Sequence, residues 1–198
     1  TMKQILILLI SVILFSCSNG DKRYHIDEVS FPNDTLTYLK SDMSLLNGVV
    51  YSEFGENGKY INGKRYGEHK RWYDNGQLEY DVNYNDGKFN GLLKSWYENG
   101  QLKKEGKYTN GKGDGLWKIY NINGQLIMSE NYSNGEKNGL LKEWYENGQL
   151  KIEFNYLNGE LDGESKQWRE NGELWWTNSY KNGKKDGISK HYYEGKMK

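Results

Sequence analysis

A fixed period of 24 residues runs through most of this 198-residue chain and constrains its fold more than any other feature. Counted from a recurring glycine as position 1, position 4 is always lysine and position 6 is always tryptophan or tyrosine. The recurring glycines are Gly67, Gly91, Gly115, Gly139, Gly163 and Gly187. Tandem units of this length fold as stacked copies of one supersecondary structure, because one unit alone cannot bury its apolar surface. The period therefore predicts a quasi-linear array of repeats.

The turn residues predict that each unit is a β-hairpin. Of the 24 glycines, 19 directly follow asparagine or aspartate, which is the strongest short-range signal for a two-residue hairpin turn. Five units carry Asn-Gly at positions 9 and 10, beginning with Asn75-Gly76, and leucine at position 12. Aromatic and β-branched residues in the flanking segments favour strands. The predicted fold class is all-β: an elongated, twisted meander of antiparallel hairpins.

The turn also predicts which side chains share a face of the sheet. If Asn75-Gly76 is a two-residue turn, Tyr73 pairs with Leu78 and Trp72 pairs with Glu79, and paired residues share a face. The position-12 leucines then lie on one face of the sheet and the position-6 aromatic residues on the other. On that other face, a position-13 residue lies between each position-6 residue and the next. The position-6 residues are a candidate binding stripe, although ordinary cross-strand packing is the alternative interpretation. They are Trp72, Trp96, Tyr120, Trp144 and Trp168.

The N-terminus resembles an export signal. Lys3 precedes an apolar run from Ile5 to Phe15 that only Ser11 interrupts. This run is too short to span a bilayer as a helix and has the length of a signal-peptide core. An ordinary secretory peptide is one interpretation, but Leu14-Phe15-Ser16-Cys17 resembles a bacterial lipobox. Cys17, the only cysteine, is therefore predicted to be acylated, which would place the chain at the bacterial cell envelope on a lipid anchor.

Five segments follow from these features. Residues 1–16 are predicted to be the lipoprotein signal peptide and residues 17–35 a flexible, polar tether. Residues 36–66 are predicted to form a capping strand and a shortened first repeat, 67–186 five full repeats, and 187–198 a truncated last repeat.

Composition and spacing argue against several classes of function. The 27 basic and 27 acidic residues balance, so no excess charge favours nucleic acid. His25, His69 and His191 lack the spacing of a metal site. The loops that contain Asp162 and Asp186 could offer oxygens to calcium, but asparagine or aspartate there serves a turn equally well. No catalytic motif is present, so we predict neither an enzyme nor a bound cofactor or metal.

The repeated pattern resembles a known family. Trp-Tyr-x-Asn-Gly-Gln-Leu, followed by Tyr-x-Asn-Gly and Asp/Asn-Gly, is similar to the bacterial variant of the MORN repeat, in chains commonly labelled YwqK-type putative antitoxins. The resemblance covers residues 48–198. It departs at position 7, where Asn121 and Arg169 replace tyrosine, and at Glu173, which replaces glutamine.

Three functions are compatible with this resemblance. It implies an elongated β-hairpin array that acts as a scaffold or membrane-associated interaction module. We expect a non-catalytic scaffold that binds another protein at the envelope. A toxin-neutralising antitoxin or immunity role is the first alternative, and glycan binding by aromatic residues on short hairpins is the second.

Overall fold

One long sheet of consecutive hairpins forms most of the molecule. The computed structural model describes residues 20–32 and 35–193 and the backbone of 196–197. Within these residues one 3-10 turn, Ile26–Glu28, interrupts the strands and no α-helix forms. The prediction of an all-β hairpin array is confirmed. The predicted signal peptide and Cys17 lie outside the described residues.

The strands are numbered in chain order. They are β1 (Arg23–His25), β2 (Val29–Ser30), β3 (Tyr38–Leu39), β4 (Gly48–Ser52), β5 (Gly55–Ile61), β6 (Lys64–Trp72), β7 (Leu78–Asn85), β8 (Lys88–Trp96), β9 (Leu102–Thr109), β10 (Lys112–Gly113), β11 (Gly115–Tyr120), β12 (Leu126–Ser133), β13 (Glu136–Trp144), β14 (Leu150–Leu157), β15 (Glu160–Leu161), β16 (Gly163–Trp168), β17 (Leu174–Lys181), β18 (Lys184–Lys185), β19 (Lys190–Tyr193) and β20 (Lys196–Met197).

The pairing of strands repeats with the sequence period. In β6 and β7, Gly67 pairs with Tyr84, and one unit later Gly91 of β8 pairs with Tyr108 of β9. Antiparallel pairing continues in this way from β4 to β20. Most side chains on both faces are partly exposed, and few apolar residues of the described chain are buried. Stability of the array therefore depends on contacts between neighbouring hairpins.

The turns inside each unit differ from the prediction. The Tyr73 N–H donates to the Gln77 carbonyl oxygen at 2.8 Å, and the Gly76 N–H donates to the Tyr73 carbonyl at 2.9 Å. Asp74, Asn75 and Gly76 thus form a three-residue loop, with Gly76 at a φ of 80°. The two-residue turns lie between units, where both central residues have positive φ, as a type I′ turn requires.

The three-residue loop changes the register that we predicted. Trp72 pairs with Leu78, and Arg71 pairs with Tyr80 across a β-bulge. The predicted pairs, Tyr73 with Leu78 and Trp72 with Glu79, are therefore wrong. A bulge sets two residues of one strand against one of the other, so the predicted separation of position-6 aromatic residues from position-12 leucines loses its basis.

The predicted flexible tether is also wrong for residues 23–30. Strand β1 pairs in parallel with β4, with Arg23 opposite Val49. The segment is ordered because its apolar side chains cover the first hairpin. The buried cluster consists of Val29, Leu46, Val50 and Tyr60, with Tyr24, Ile26 and Leu39 packed against it.

The predicted capping strand is short and belongs to a separate sheet. Tyr38–Leu39 pairs with Val29–Ser30 in a two-stranded sheet. Its neighbour Thr37 joins it to the array, because the Thr37 N–H donates to the Gly63 carbonyl at 2.9 Å. Residues 20–47, apart from the undescribed 33–34, thus form an N-terminal cap on the first hairpin. Terminal caps of this kind shield the end of a repeat array.

Candidate interaction surface

The three-residue loops of successive units are bonded to one another along one edge of the sheet. The Tyr97 hydroxyl donates to the Tyr120 carbonyl at 2.9 Å, and the Asn99 Nδ2 donates to the Ile122 carbonyl at 3.0 Å. Tyr73 and Tyr145 make the same bond to the next unit at 2.9 Å. The Tyr-x-Asn-Gly motif at positions 7 to 10 therefore joins adjacent hairpins, which explains its repetition without a ligand.

The two departures at position 7 alter this link. Asn121 bonds within its own loop, where its Nδ2 donates to Gln125 Oε1 at 2.9 Å. The Gln125 Nε2 instead donates to the Glu146 carbonyl of the next unit at 3.2 Å. Arg169 still reaches the next unit, with its Nη2 3.4 Å from the Tyr192 carbonyl.

The type I′ turns form the opposite edge and are also linked. The Gly111 N–H donates to the Phe89 carbonyl at 2.7 Å. At position 24, Asp162 accepts a hydrogen bond from the Asn182 N–H at 3.3 Å and contacts Lys181 Nζ at 3.1 Å. These bonds lower the pKa of the Asp162 carboxyl. This candidate calcium ligand thus serves the turn, and the described residues contain no group of three His, Cys, Asp or Glu side chains that could hold a metal.

One face of the sheet carries a continuous row of rings, which we call the ring ladder. Neighbouring ring centroids lie 4.8 to 6.5 Å apart, the separation of favourable aromatic pairs. Its members are Tyr60, His69, Tyr84, Phe89, Tyr108, Trp117 and Tyr132. The repeat pattern does not predict the whole ladder, because position 18 is tyrosine in each full unit but positions 3 and 23 are aromatic in only some.

His69 is a packed member of the ring ladder. Its side chain is almost fully buried. Its Nε2 lies 2.9 Å from the Lys59 carbonyl oxygen and donates to it in the neutral tautomer that carries its hydrogen on Nε2. Burial, with the positive charge of Arg65, lowers the pKa of His69 to about 4. The imidazole is thus neutral at pH 7 and fills the core between Tyr60 and Tyr84.

The opposite face, which we call the lysine face, carries alternating charges. Lys94 of β8 lies opposite Asp81 of β7 and Glu105 of β9. Glu105 is in turn 3.6 Å from Lys118 Nζ. Such exposed ion pairs contribute at most about 1 kcal/mol each. The ion pairs therefore stabilise little, but they keep the face polar, and Ser129 replaces the carboxylate between Lys118 and Lys142.

Three leucines at position 2 interrupt this polar face, and we call them the leucine row. Leu92, Leu116 and Leu140 are 60%, 48% and 41% exposed. Equivalent residues of successive units lie two strands apart, or about 9.6 Å. The row does not follow from the repeat pattern, because Glu68 and Glu164 occupy position 2 in the flanking units.

A family model for the MORN repeat variant matches four consecutive segments, residues 65–86, 89–110, 113–134 and 137–158. Four tandem segments of the chain are thus similar to the MORN repeat variant. Each matched segment runs from one inter-unit turn to the next, so the repeats coincide with the hairpins described above.

Other comparisons add little. No curated protein sequence matches the chain. A solved structure, the crystal structure of the GtfA/B complex bound to UDP and GlcNAc, is similar at 12% identity and a TM-score of 0.23. That similarity covers 54% of this chain and 21% of the other, and at this score it carries no argument.

The predicted binding stripe is half-buried in the MORN array. Trp96 pairs with Leu102 at the bulge, and the Tyr120 hydroxyl donates to Glu105 Oε1 at 3.0 Å. Position-13 residues do not separate the stripe residues as expected. Lys103 Nζ instead lies 5.4 Å from the ring centroid of Tyr97 at position 7. The stripe stays a prediction.

Among the described residues no helix is long and apolar enough to cross a membrane.

Proposed function

We propose that this chain is a non-catalytic scaffold of the bacterial cell envelope whose MORN repeats bind another protein through the lysine face. The observation that carries the proposal is the leucine row. Leu92, Leu116 and Leu140 are large, exposed and evenly spaced on a face that is otherwise polar. Apolar side chains grouped within a polar rim are typical of protein interaction sites.

The two faces differ in a way that favours this choice. The ring ladder is largely used for internal packing, and at its first end Phe31 of the N-terminal cap contacts Tyr60. The leucines have no such cover and lie beside lysines that their carboxylate neighbours neutralise. A flat partner surface can therefore contact the leucine row beside lysines that are partly neutralised, with Lys107 directly opposite Leu92.

Replacing all three leucines by serine is expected to reduce partner capture at least tenfold. Because exposed substitutions typically change stability by about 0.5 kcal/mol or less each, the melting temperature should shift only slightly. Capture from solubilised membranes would be measured by quantitative mass spectrometry. Ile122→Ser is the control, because Ile122 is also exposed, at 56%, but lies in a loop at the sheet edge.

The same capture assay tests the predicted stripe. If Trp96→Ala loses the partner while the triple serine variant keeps it, the stripe rather than the leucine row is the binding surface. Retention of the partner by both variants would contradict binding through the lysine face. The captured molecule itself distinguishes a scaffold partner from a toxin or a glycan, the other two predicted roles.

Anchoring at the envelope rests on Cys17, and acylation of this residue is the second expected result. A labelled fatty acid should enter the wild-type protein and not Cys17→Ser, and the variant should leave the membrane fraction. Stable anchoring generally takes more than one acyl chain, as the lipobox resemblance implies. A Cys17→Ser protein that stays membrane-bound with its signal segment uncut would contradict the lipid anchor.

A further inference from the structure

A cavity of about 620 Å³ opens on the ring-ladder face at the third full repeat. Its walls include Tyr108 of β9, Trp117 of β11 and Tyr132 of β12, with Lys104 of β9 beside them. This volume lies within the range of small-molecule sites, about 300–1,000 Å³. The cavity lies on the face opposite the leucine row.

Two glycines that break the repeat pattern shape this region: Gly113 lines the cavity, and Gly106 lies beneath the Trp117 ring. Gly106 and Gly113 stand where the first full repeat carries Val82 and Phe89. A Cβ atom on Gly106 would lie 2.1 Å from the Trp117 ring, so the indole lies directly over the bare backbone. The boundary between the second and third full repeats is thus shaped by a large residue, Trp117, and by two positions without side chains, Gly106 and Gly113.

The indole N–H of Trp117 has no hydrogen-bond acceptor. Trp117 is only 5% exposed, and its Nε1 is among the buried polar atoms of the described residues that lack a partner. An unsatisfied buried donor costs about 1–3 kcal/mol. Because Nε1 is closed to solvent, its N–H signal reports on the packing of rings around Trp117 when a ligand binds beside it.

Charged groups around the cavity leave a positive ammonium unpaired. Lys104 Nζ lies 4.6 Å from the ring centroid of Trp117, and no ion pair of the described residues involves Lys104. The carboxylate of Glu130 is already engaged, because the Tyr132 hydroxyl donates to it and Lys137 Nζ lies 3.6 Å away. Burial and Glu130 raise the pKa of Tyr132 to about 12, so this phenol keeps its proton as a donor.

The unpaired ammonium of Lys104 favours a ligand with one negative charge. Lys104 and Lys112 balance Glu130 and Glu136 in the lining, but Glu130 is already paired with Lys137, which lies outside it. Lys104 therefore offers its charge to a ligand. The tyrosine and tryptophan rings provide the apolar contact surface that a ring-shaped ligand needs.

We propose that this cavity binds a small ring compound that carries a single carboxylate. The carboxylate pairs with the Lys104 ammonium, and the ring lies against Tyr108 and Tyr132. An acidic sugar and an aromatic acid share this chemistry. This binding site goes beyond the proposed scaffold function, because it lies on the other face and needs no partner protein.

Titration of the full chain with paired probes tests the site. Glucuronate is compared with glucose, and benzoate with benzyl alcohol, so that each acid has a neutral analogue. The readout is the indole N–H signal of Trp117 in a ¹⁵N–¹H spectrum, assigned by its loss in Trp117→Phe. Replacing Lys104 by methionine introduces the residue that the next repeat has at this position, Met128.

Lys103→Met is the matched control for Lys104→Met. Lys103 is the adjacent residue, and its ammonium also lies over a ring, that of Tyr97. Its removal changes the net charge of the chain equally. Lys104→Gln is a second variant, in case methionine perturbs the fold, and the melting temperature of each variant is measured alongside.

We expect at least one acid to bind at least tenfold more tightly than its neutral analogue and to shift the Trp117 signal. Lys104→Met and Lys104→Gln should abolish this preference, whereas Lys103→Met and the triple leucine variant should keep it. The acid that binds identifies the ring as a sugar or an aromatic. Equal binding of acids and neutral analogues, no binding, or equal effects of the Lys103 and Lys104 variants would overturn the proposal.

Discussion

Truncation of Leu46 to alanine is expected to lower the free energy of unfolding of the N-terminal cap and first hairpin by about 2–5 kcal/mol. Leu46 is fully buried among Val29, Val50 and Tyr60. Removal of three side-chain carbons leaves a cavity that its neighbours fill only in part, and that cavity adds to the lost burial energy. This cluster is the main apolar core of the described chain, so little else can compensate.

Leu45→Ala is the matched control for this loss. Leu45 directly precedes Leu46 but is 39% exposed, so the same truncation there should cost about 1 kcal/mol or less. Urea denaturation followed by far-UV circular dichroism gives the overall change. Hydrogen exchange at Val49 and Lys59 locates it in the first hairpin. Equal losses for the two variants would show that the cap does not form the core described.

Acidification from pH 7 to pH 4 is the second large expected effect. His69 is buried and neutral, with its pKa lowered to about 4 from 6.5. Between these two values the unfolded chain binds more protons than the folded chain at this residue, so stability falls as the pH falls. The lowered pKa corresponds to about 3 kcal/mol, because each unit is worth about 1.4 kcal/mol. The contribution is present above pH 6.5 and is lost towards pH 4.

Leucine at residue 69 isolates this effect from the titration of carboxylates. Leu93 and Leu141 occupy the same position in the second and fourth full repeats, so His69→Leu introduces a side chain that the array already accepts. The variant should lose clearly less stability than the wild type between pH 7 and pH 4, as measured by the urea midpoint at each pH. An identical pH dependence for both proteins would mean that His69 is protonated or exposed in the folded state.

The sequence was sufficient to predict the repeat but not the type of each turn. Every full unit contains three Asn-Gly or Asp-Gly sites, and the dipeptide alone does not distinguish them. Asn75 Oδ1 accepts a hydrogen bond from the Gln77 N–H at 2.9 Å, which closes the three-residue loop. Asn110 instead adopts a φ of 51° within a type I′ turn. The difference depends on the residues that follow, and a single extra loop residue was enough to shift the predicted pairing by one.

The parts of the surface that lie outside the period could not be predicted in the same way. Residues 20–47 contain no repeat, so the sequence pattern does not predict the contacts that bury Val29 and Leu46. The cavity depends on two residues of neighbouring strands: Gly106 has no side chain, and the Trp117 ring fills the space that a side chain would take. Each of these two residues departs from the repeat at a different position, and only their contact in the folded sheet relates one to the other.

The tyrosine bonds along one edge join most hairpins to the next at a constant offset, from Tyr73 to Trp96 and again from Tyr97 to Tyr120. Duplication or loss of one whole unit in the gene would therefore preserve every such link, whereas a partial unit would leave one side without its acceptor. The length of the array can change in evolution by whole units at little cost to folding. A duplication within the middle repeats would add a leucine to the leucine row. The number of apolar contact points on the lysine face would therefore increase with the length of the array.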